Sequence, residues 1–265
     1  MYSLKILFVL IPRLARTFGN KVYYRELFLL IQFWYFVLSR KTILRGHQMR
    51  FNVWYLGNGF SLWIESIVDL AVLREVFITE EYKWQLPQTP KVILDLGAHF
   101  GDTALYYHFT YPEAIIVAVE PAPDTFARLC KNVKDIPNIL PLQAAVSNKN
   151  GFADLHVSAS SIGASFSSRK DTTQVISVPV FTLQTILEMH HLKRADLIKF
   201  DIEGAEEMLF IHESPSTMSD AYIGEVHGDL MSTDIQEFML RFKDFVVKTE
   251  VQSNVKRVII KCIKK

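Results

Sequence analysis

Short apolar runs alternate with helical segments over most of the chain, and no other feature of the sequence restricts the fold as strongly. The runs at 92–96, 114–119, 139–146, 197–200 and 221–226 are mostly apolar, and residues spaced as in a helix follow most of them. Strands that are apolar on both faces are typical of a parallel sheet covered by helices on both sides. We therefore expect a doubly wound α/β domain over residues 91–265.

Residues 49–90 predict a smaller cap that precedes this domain. Met49–Leu56 is rich in β-branched and aromatic residues, as in a strand, and Gly57-Asn58-Gly59 is a turn signal. Ile64–Trp84 then spaces its apolar residues at helical intervals. We expect one strand and one helix here.

The first 48 residues form a basic, apolar extension. Residues 1–50 carry nine Lys and Arg side chains and one acidic residue, whereas the whole chain has 29 basic and 28 acidic residues. Two apolar runs, Leu4–Ile11 and Leu27–Leu38, predict helices, and the longer one gives about 18 Å of helix, too short for a hydrocarbon layer of roughly 30 Å. A signal peptide is disfavoured because basic residues follow the first run. The extension is predicted either to lie on an anionic membrane or to pack on the main domain.

The composition excludes several classes of protein. Cys130 and Cys262 are the two cysteines, too few for a disulfide framework, and they lie in no zinc-binding pattern. We therefore expect a reducing compartment and a cytoplasmic location, with peripheral membrane contact as an option. A formal net charge of +1 disfavours a nucleic-acid partner.

The ends of the first two runs carry residues suited to a nucleoside joined to an amino acid. Gly97 and Gly101 let a loop turn sharply into a helix and let a ligand approach the backbone. This loop reads G-x-x-x-G rather than the G-x-G-x-x-G of a nicotinamide dinucleotide site. Asp95 suits an ammonium group, and Glu120, 23 residues beyond Gly97, can accept two ribose hydroxyls. Together these features describe S-adenosylmethionine.

A second group of acids follows the fourth and fifth runs. Asp201 and Glu203 come directly after the fourth, with Gly204 allowing a turn, and Glu225 and His227 share one face at the end of the fifth. Unpaired buried carboxylates are costly, so this concentration indicates a functional site. A single histidine is more often a structural hydrogen-bonding residue, but its position beside a cleft favours a functional role.

Six motifs occur in order between Val92 and Gly228: DLGAHFGDT, VEPAPDTFARLCKN, QAAVS, VFTLQTI, IKFDIEGAEEMLF and GEVHG. In order and spacing they resemble the FkbM-type methyltransferases. The resemblance implies a Rossmann-like class I methyltransferase fold with a mostly parallel seven-stranded sheet, S-adenosylmethionine as the cofactor, and methylation of a hydroxyl oxygen. The cofactor-binding residues that it implies are Asp95, Gly97, His99, Gly101, Asp102, Glu120 and Asp201.

Two positions depart from the family pattern. His99 stands where asparagine usually follows Gly-Ala, and Gln184 stands where aspartate usually follows Thr-Leu. We expect His99 to lie against the cofactor region. Gln184 cannot supply a carboxylate.

The catalytic residues predicted from these patterns are His227, Asp201 and Glu203. A hydroxyl is a weak nucleophile near pH 7 and benefits from a base, which we predict to be His227, with Asp201 or Glu203 as an alternative or an orienting partner. No metal ligands are assigned, and a divalent cation among these three residues and Glu225 stays an alternative. The expected acceptor is a small molecule, glycan or glycolipid, reached by peripheral membrane contact if residues 1–48 bind lipid. The competing interpretations are an inactive methyltransferase fold used as a scaffold and, less favoured, a nicotinamide oxidoreductase.

Overall fold

The computed structural model describes residues 6–39, 48–158, 164–165, 172–211, 215–251 and 257–265. The chain forms two compact units, Met1–Glu81 and Tyr82–Lys265. Each has its own elements and is described by itself. The functional boundaries expected at residues 48 and 90 stay a prediction.

The first unit begins with helices. A π-helical turn over Ile6–Leu10 continues into α1 (Ile11–Phe18), and α2 (Tyr23–Ser39) follows. One face of α2 is buried, and its Phe33 stacks on Phe51 with 4.8 Å between the ring centroids. None of the helices in the described parts of the chain is long and apolar enough to cross a membrane.

A β-hairpin and a helix complete this unit. Strands β1 (Met49–Tyr55) and β2 (Asn58–Ile64) pair antiparallel, and α3 (Ile67–Phe77) follows them. The helix predicted over 64–84 is therefore wrong at both ends. It starts later because β2 extends through Ile64 and the Ser66 side chain caps α3, accepting a hydrogen bond from the Asp69 amide at 3.2 Å.

The second unit is built on a seven-stranded sheet, which confirms the expected fold. Its order is β12-β13-β11-β10-β3-β4-β5, and β13 alone among these strands runs in the opposite direction to the other six. In chain order the strands are β3 (Val92–Leu96), β4 (Ile115–Val119), β5 (Ile139–Leu142), β10 (Ala195–Phe200), β11 (Ser219–His227), β12 (Phe245–Val251) and β13 (Arg257–Lys264). Because β3, β4, β10 and β11 are parallel, their carboxyl ends meet at one edge of the sheet, where ligands bind in folds of this kind.

A second, smaller sheet lies between β5 and β10 in the chain. Its strands are β6 (Ala145–Val146), β7 (Gly151–Ser158), β8 (Ala164–Ser165) and β9 (Thr172–Phe181). The single strand predicted over 139–146 is therefore two strands in different sheets. The Ser-rich stretch 158–168 predicts a loop between strands; β8 lies within it, and most of the remainder lies outside the described residues.

The helices of the second unit follow most of its strands, as the sequence pattern predicts. They are α4 (Asp102–Thr110), α5 (Pro123–Val133), α6 (Leu183–Met189), α7 (Glu206–Leu209), α8 (Pro215–Met218) and α9 (Ile235–Met239), with a 3₁₀ turn at Leu240–Phe242. The apolar spacing of residues 205–211 predicts a longer helix there, which is shortened to the single turn α7. The aromatic side chains of Phe200, Phe210 and Tyr222 pack edge to face in the core, with ring centroids 5.5–5.6 Å apart.

Candidate active site

Asp95, near the end of β3, lies in a buried network of charges. Its Oδ2 accepts a hydrogen bond from the Thr103 hydroxyl at 2.6 Å, and its Oδ1 lies 3.2 Å from the Lys199 ammonium. Lys199 also donates to the Gly97 carbonyl oxygen at 2.8 Å. Burial raises the pKa of Asp95, and the positive charge of Lys199 opposes this rise. Asp95 therefore acts in this structure as the anchor of Lys199, and its predicted contact with a ligand ammonium stays a proposal.

Gly97 is required by a close approach of two chain segments. Its φ is +75°, and a Cβ at this position would overlap the backbone carbonyl oxygen of Asp201. The Gly97 and Ala98 amides both donate to the Val119 carbonyl oxygen at 2.9 Å. The loop after β3 is therefore held between the ends of β4 and β10.

The carboxylate of Glu120 is held by this loop. It accepts hydrogen bonds from the His99 amide at 3.0 Å and the Ala122 amide at 2.9 Å. Burial raises the pKa of Glu120 to about 7, although His99 and the two amides oppose the rise. Lys199 lowers the pKa of both Glu120 and Asp95, so the two acids share one electrostatic environment.

His99 and Asp102 lie on either side of Gly101, where α4 begins. His99 has a φ of +49°, a left-handed conformation in which asparagine and histidine are both enriched. Its Nδ1 lies 3.6 Å from Asp102 Oδ1, and that buried oxygen has no hydrogen-bond partner among the described residues. Gln184 is exposed on α6 and donates to Glu188 at 2.6 Å.

The ends of β10 and β11 bring together the second group of acids. His227 is fully buried, and its Nε2 lies 3.6 Å from Asp201 Oδ1, 3.7 Å from Glu225 Oε2 and 3.9 Å from Glu203 Oε2. Its Nδ1 lies 2.9 Å from Glu206 Oε1. Burial would lower the pKa of His227, but the surrounding carboxylates raise it to about 9. Burial and the neighbouring carboxylates raise the pKa of Glu225 to about 7.

The sequence interpretation missed Lys199, Thr103, Glu206 and Tyr82 as members of these networks. The hydroxyl of Tyr82 donates to Asp201 Oδ2 at 3.1 Å. The sequence could have identified Lys199, because a lysine inside an apolar strand needs a buried anion as its partner. It could also have identified Glu206, which is the third acid of the DIEGAE segment. No sequence feature points to Tyr82, which is 119 residues from Asp201 in the chain.

Comparison with known proteins places this site in a family. A model described as the methyltransferase FkbM domain matches residues 95–244. Hexuronic acid methyltransferase AglP of Haloferax volcanii is 25% identical over 154 residues, which cover 57% of this chain and 62% of that protein, less than two thirds of its length. Methyltransferase 1 of Beauveria bassiana is 27% identical over 176 residues, covering 57% of this chain and 71% of that protein.

A solved structure of Aeropyrum pernix fibrillarin with bound S-adenosyl-L-methionine aligns over 85% of this chain and 86% of its own, with a TM-score of 0.45 and 16% identity. The family match covers more than half of this chain, including the carboxyl ends of β3, β4, β10 and β11. It confirms the family and the cofactor expected from the motifs. The chain belongs to the FkbM family of S-adenosylmethionine-dependent methyltransferases.

Proposed function

We propose that this protein transfers a methyl group from S-adenosylmethionine to a hydroxyl oxygen of a small molecule, glycan or glycolipid. The observation that carries the proposal is the group of carboxylates at the ends of β10 and β11, beside the cofactor loop. Three of them, Asp201, Glu203 and Glu225, lie within 4 Å of one histidine nitrogen. They would repel a carboxylate acceptor and attract the proton of a hydroxyl.

The residues around the β3 loop fit the cofactor. Each oxygen of Glu120 accepts one backbone hydrogen bond and keeps a second lone pair for a ribose hydroxyl. The unpartnered Oδ1 of Asp102 is a further acceptor at the start of α4. The bound cofactor supplies an electrophilic methyl group on a positively charged sulfur. We assign cofactor binding to Asp95, Gly97, His99, Gly101, Asp102, Glu120 and Asp201.

The protein's part in the reaction is to align the acceptor oxygen and to take its proton. The side chains of Asp201 and Glu203 are 29% and 26% exposed, whereas His227 is 0% exposed. We therefore assign direct contact with the hydroxyl to Asp201 or Glu203, the alternatives to His227 that the sequence left open. The buried His227 faces both, with its Nε2 3.6 Å from Asp201 and 3.9 Å from Glu203.

Methyl transfer with a tritiated methyl donor into a fractionated extract tests the reaction. The expected product keeps its label in mild alkali, because a methyl ether is stable there, whereas a methyl ester releases labelled methanol. Glu203→Gln and Asp201→Asn are the test variants. Whichever of them removes the base should lower the turnover rate at saturating cofactor by a factor of about 10²–10⁴. Glu237→Gln, which removes an exposed acid on α9, is the control. Label found only in ester form would contradict hydroxyl methylation.

We also propose that the first unit contacts an anionic membrane surface, which would bring the enzyme to a lipid-linked acceptor. The exposed side of α2 is apolar, with side chains between 45% and 66% exposed at Tyr24, Leu27, Phe28, Ile31, Tyr35 and Leu38. Exposed Arg13 and Arg16 on α1 and Lys21 beyond it supply positive charge.

Flotation of the full chain with vesicles tests this contact. The protein should float with vesicles that contain phosphatidylserine, and Ile31→Glu should reduce the floating fraction. Leu240→Glu is the matched control, because Leu240 is equally exposed, at 70% against 62% for Ile31, and lies in the second unit. Equal flotation of the two variants would contradict the proposal.

A further inference from the structure

His227 presents a buried nitrogen that lacks a hydrogen-bond partner in the part of the chain that the structure describes. Its Nδ1 is fixed by Glu206 Oε1 at 2.9 Å, and this contact determines the direction of the ring. Its Nε2 has no hydrogen-bond partner among the described residues, although the side chain is fully buried. A buried polar atom in this state costs free energy unless a further group satisfies it.

The surroundings of this nitrogen are acidic. The nearest oxygens of Asp201, Glu225 and Glu203 lie 3.6, 3.7 and 3.9 Å from it. These distances are too long for hydrogen bonds. They suit atoms that share one ion, because ligands that each lie about 2.1 Å from a cation are about 3–4 Å from one another. One ligand atom from each of Asp201, Glu225 and His227 lies within 4.8 Å of the other two.

We propose that His227 Nε2, Asp201 and Glu225 bind a divalent cation. One imidazole nitrogen with two carboxylates suits a first-row transition-metal ion such as Mn²⁺ better than Ca²⁺, which prefers oxygen ligands only. Glu206 holds the ligating ring through its other nitrogen, an arrangement common around metal-bound histidines. Glu203, at the longest distance, stays outside this ligand set.

The inferred cation gives the proposed reaction a second component, and in this respect it rests on the proposed function. A cation beside the acceptor lowers the pKa of a hydroxyl that contacts it. The proton would then pass to Glu203 as the oxygen bonds to the methyl carbon, and the carbon–sulfur bond would break to release neutral S-adenosylhomocysteine. Asp201, Glu225 and His227 would hold the cation at the point where the acceptor hydroxyl is expected.

Titration of the full chain with Mn²⁺, followed by electron paramagnetic resonance, tests the site. We expect one Mn²⁺ per chain, with a nitrogen coupling in the spin-echo signal from His227. Asp201→Asn and Glu225→Gln keep the side-chain shape and should each weaken binding at least about tenfold. Asp135→Asn is the control, because it removes an acid whose side chain is 83% exposed on the same unit. Circular dichroism of each variant reports whether it folds.

The outcomes separate this inference from the proposed function. Absence of a saturable Mn²⁺ site, or equal affinities in Asp201→Asn, Glu225→Gln and Asp135→Asn, would overturn the inference. A signal without nitrogen coupling would also overturn it, because the cation would then be bound by carboxylates alone. Calorimetry with S-adenosylmethionine and the labelled-methyl assay test the function independently. Methyl transfer by a protein that binds no Mn²⁺ would leave the function standing and remove the cation.

Discussion

Replacing Lys199 with methionine should destabilise the second unit strongly, because it leaves the buried carboxylate of Asp95 without a positive partner. Asp95 is 0% and Lys199 is 2% exposed, and their charged atoms lie 3.2 Å apart. Methionine keeps most of the length and volume of the lysine stem. The substitution therefore removes the charge and the hydrogen bonds with little change in packing.

The expected magnitude follows from burial and distance. At an effective dielectric constant of about 20, charges at this separation attract by about 5 kcal/mol before the cost of desolvating them. Loss of one partner of a buried pair costs about 3–5 kcal/mol. A second lysine–carboxylate pair joins Lys261 on β13 to Glu250 on β12. Its nitrogen and oxygen are closer, at 2.8 Å, but the side chain of Glu250 is 60% exposed. An exposed pair contributes about 0.2–1 kcal/mol.

Two double-mutant cycles measure this difference. Lys199→Met with Asp95→Asn forms one cycle, and Lys261→Met with Glu250→Gln forms the other. Hydrogen exchange of amides in β3, β10 and β13 gives the free energy of unfolding of this sheet in each variant, independently of the first unit. We expect a coupling energy of about 2–3 kcal/mol for the buried pair and less than about 1 kcal/mol for the exposed pair.

The pH dependence provides a second check. Removal of Lys199 takes away a charge that lowers the pKa of Asp95, so this pKa rises further above its usual value. An acid with a raised pKa in the folded state binds a proton more tightly than in the unfolded chain, and the folded state therefore gains stability as the pH falls. Lys199→Met should cost less at pH 5 than at pH 8. Equal coupling energies in the two cycles would refute the view that burial, not distance, determines the strength of these pairs.

Further predictions concern the loop, the ribose acid and the histidine. Gly97→Ala should lower the free energy of unfolding, measured by hydrogen exchange, by more than about 2 kcal/mol, because a left-handed alanine costs about 1–2 kcal/mol before the overlap with Asp201. Gly151→Ala is the control, because its added Cβ has nothing within 4 Å. A cost no larger than that of the control would contradict this prediction. Because the pKa of Glu120 is raised to about 7, its proton favours the folded state as the pH falls from 7 towards 4.5, whereas cofactor binding needs the ionised acid. The calorimetric affinity for S-adenosylmethionine should therefore fall about tenfold from pH 8 to pH 6, and Glu120→Gln should lack this dependence. Glu206→Gln should weaken Mn²⁺ binding by about 10–100-fold with unchanged cofactor affinity, because it disturbs only the orientation of the ring; equal loss of both would show general unfolding.

The sequence predicted those parts of the fold in which local pattern and tertiary structure agree. β3, β4, β10 and β11 are apolar on both faces, so their position in the sheet follows from the residues themselves. The strands β2, β7 and β9 were missed because they belong to small sheets with alternating exposure, where pairing with a neighbour determines the conformation. The sequence predicts too long a helix at α7, because the apolar periodicity continues past Leu209, where the helix ends.

The candidate site shows the same division between local and long-range information. Acids that follow a strand are visible in the sequence, because parallel strands place their carboxyl ends together. The partners of these acids are not. Lys199 lies on the neighbouring strand β10, 104 residues after Asp95, and Tyr82 reaches Asp201 from outside the matched motifs. Their roles depend on strand order, which the pattern of apolar runs does not specify.

The two acidic groups at this edge of the sheet differ in how their charge is balanced, and the difference indicates where positive ligands bind. Asp95 has a lysine within the fold, so its charge is compensated before any ligand arrives. Asp201, Glu203 and Glu225 lie around His227, and Lys199 also interacts with Asp201 and Arg257 with Glu225. Asp201 and Glu203 nevertheless raise the pKa of Glu225. Such a group repels itself and gains from an added cation. This group of acids is therefore where we expect the proton acceptor and the cation of the proposed reaction to lie.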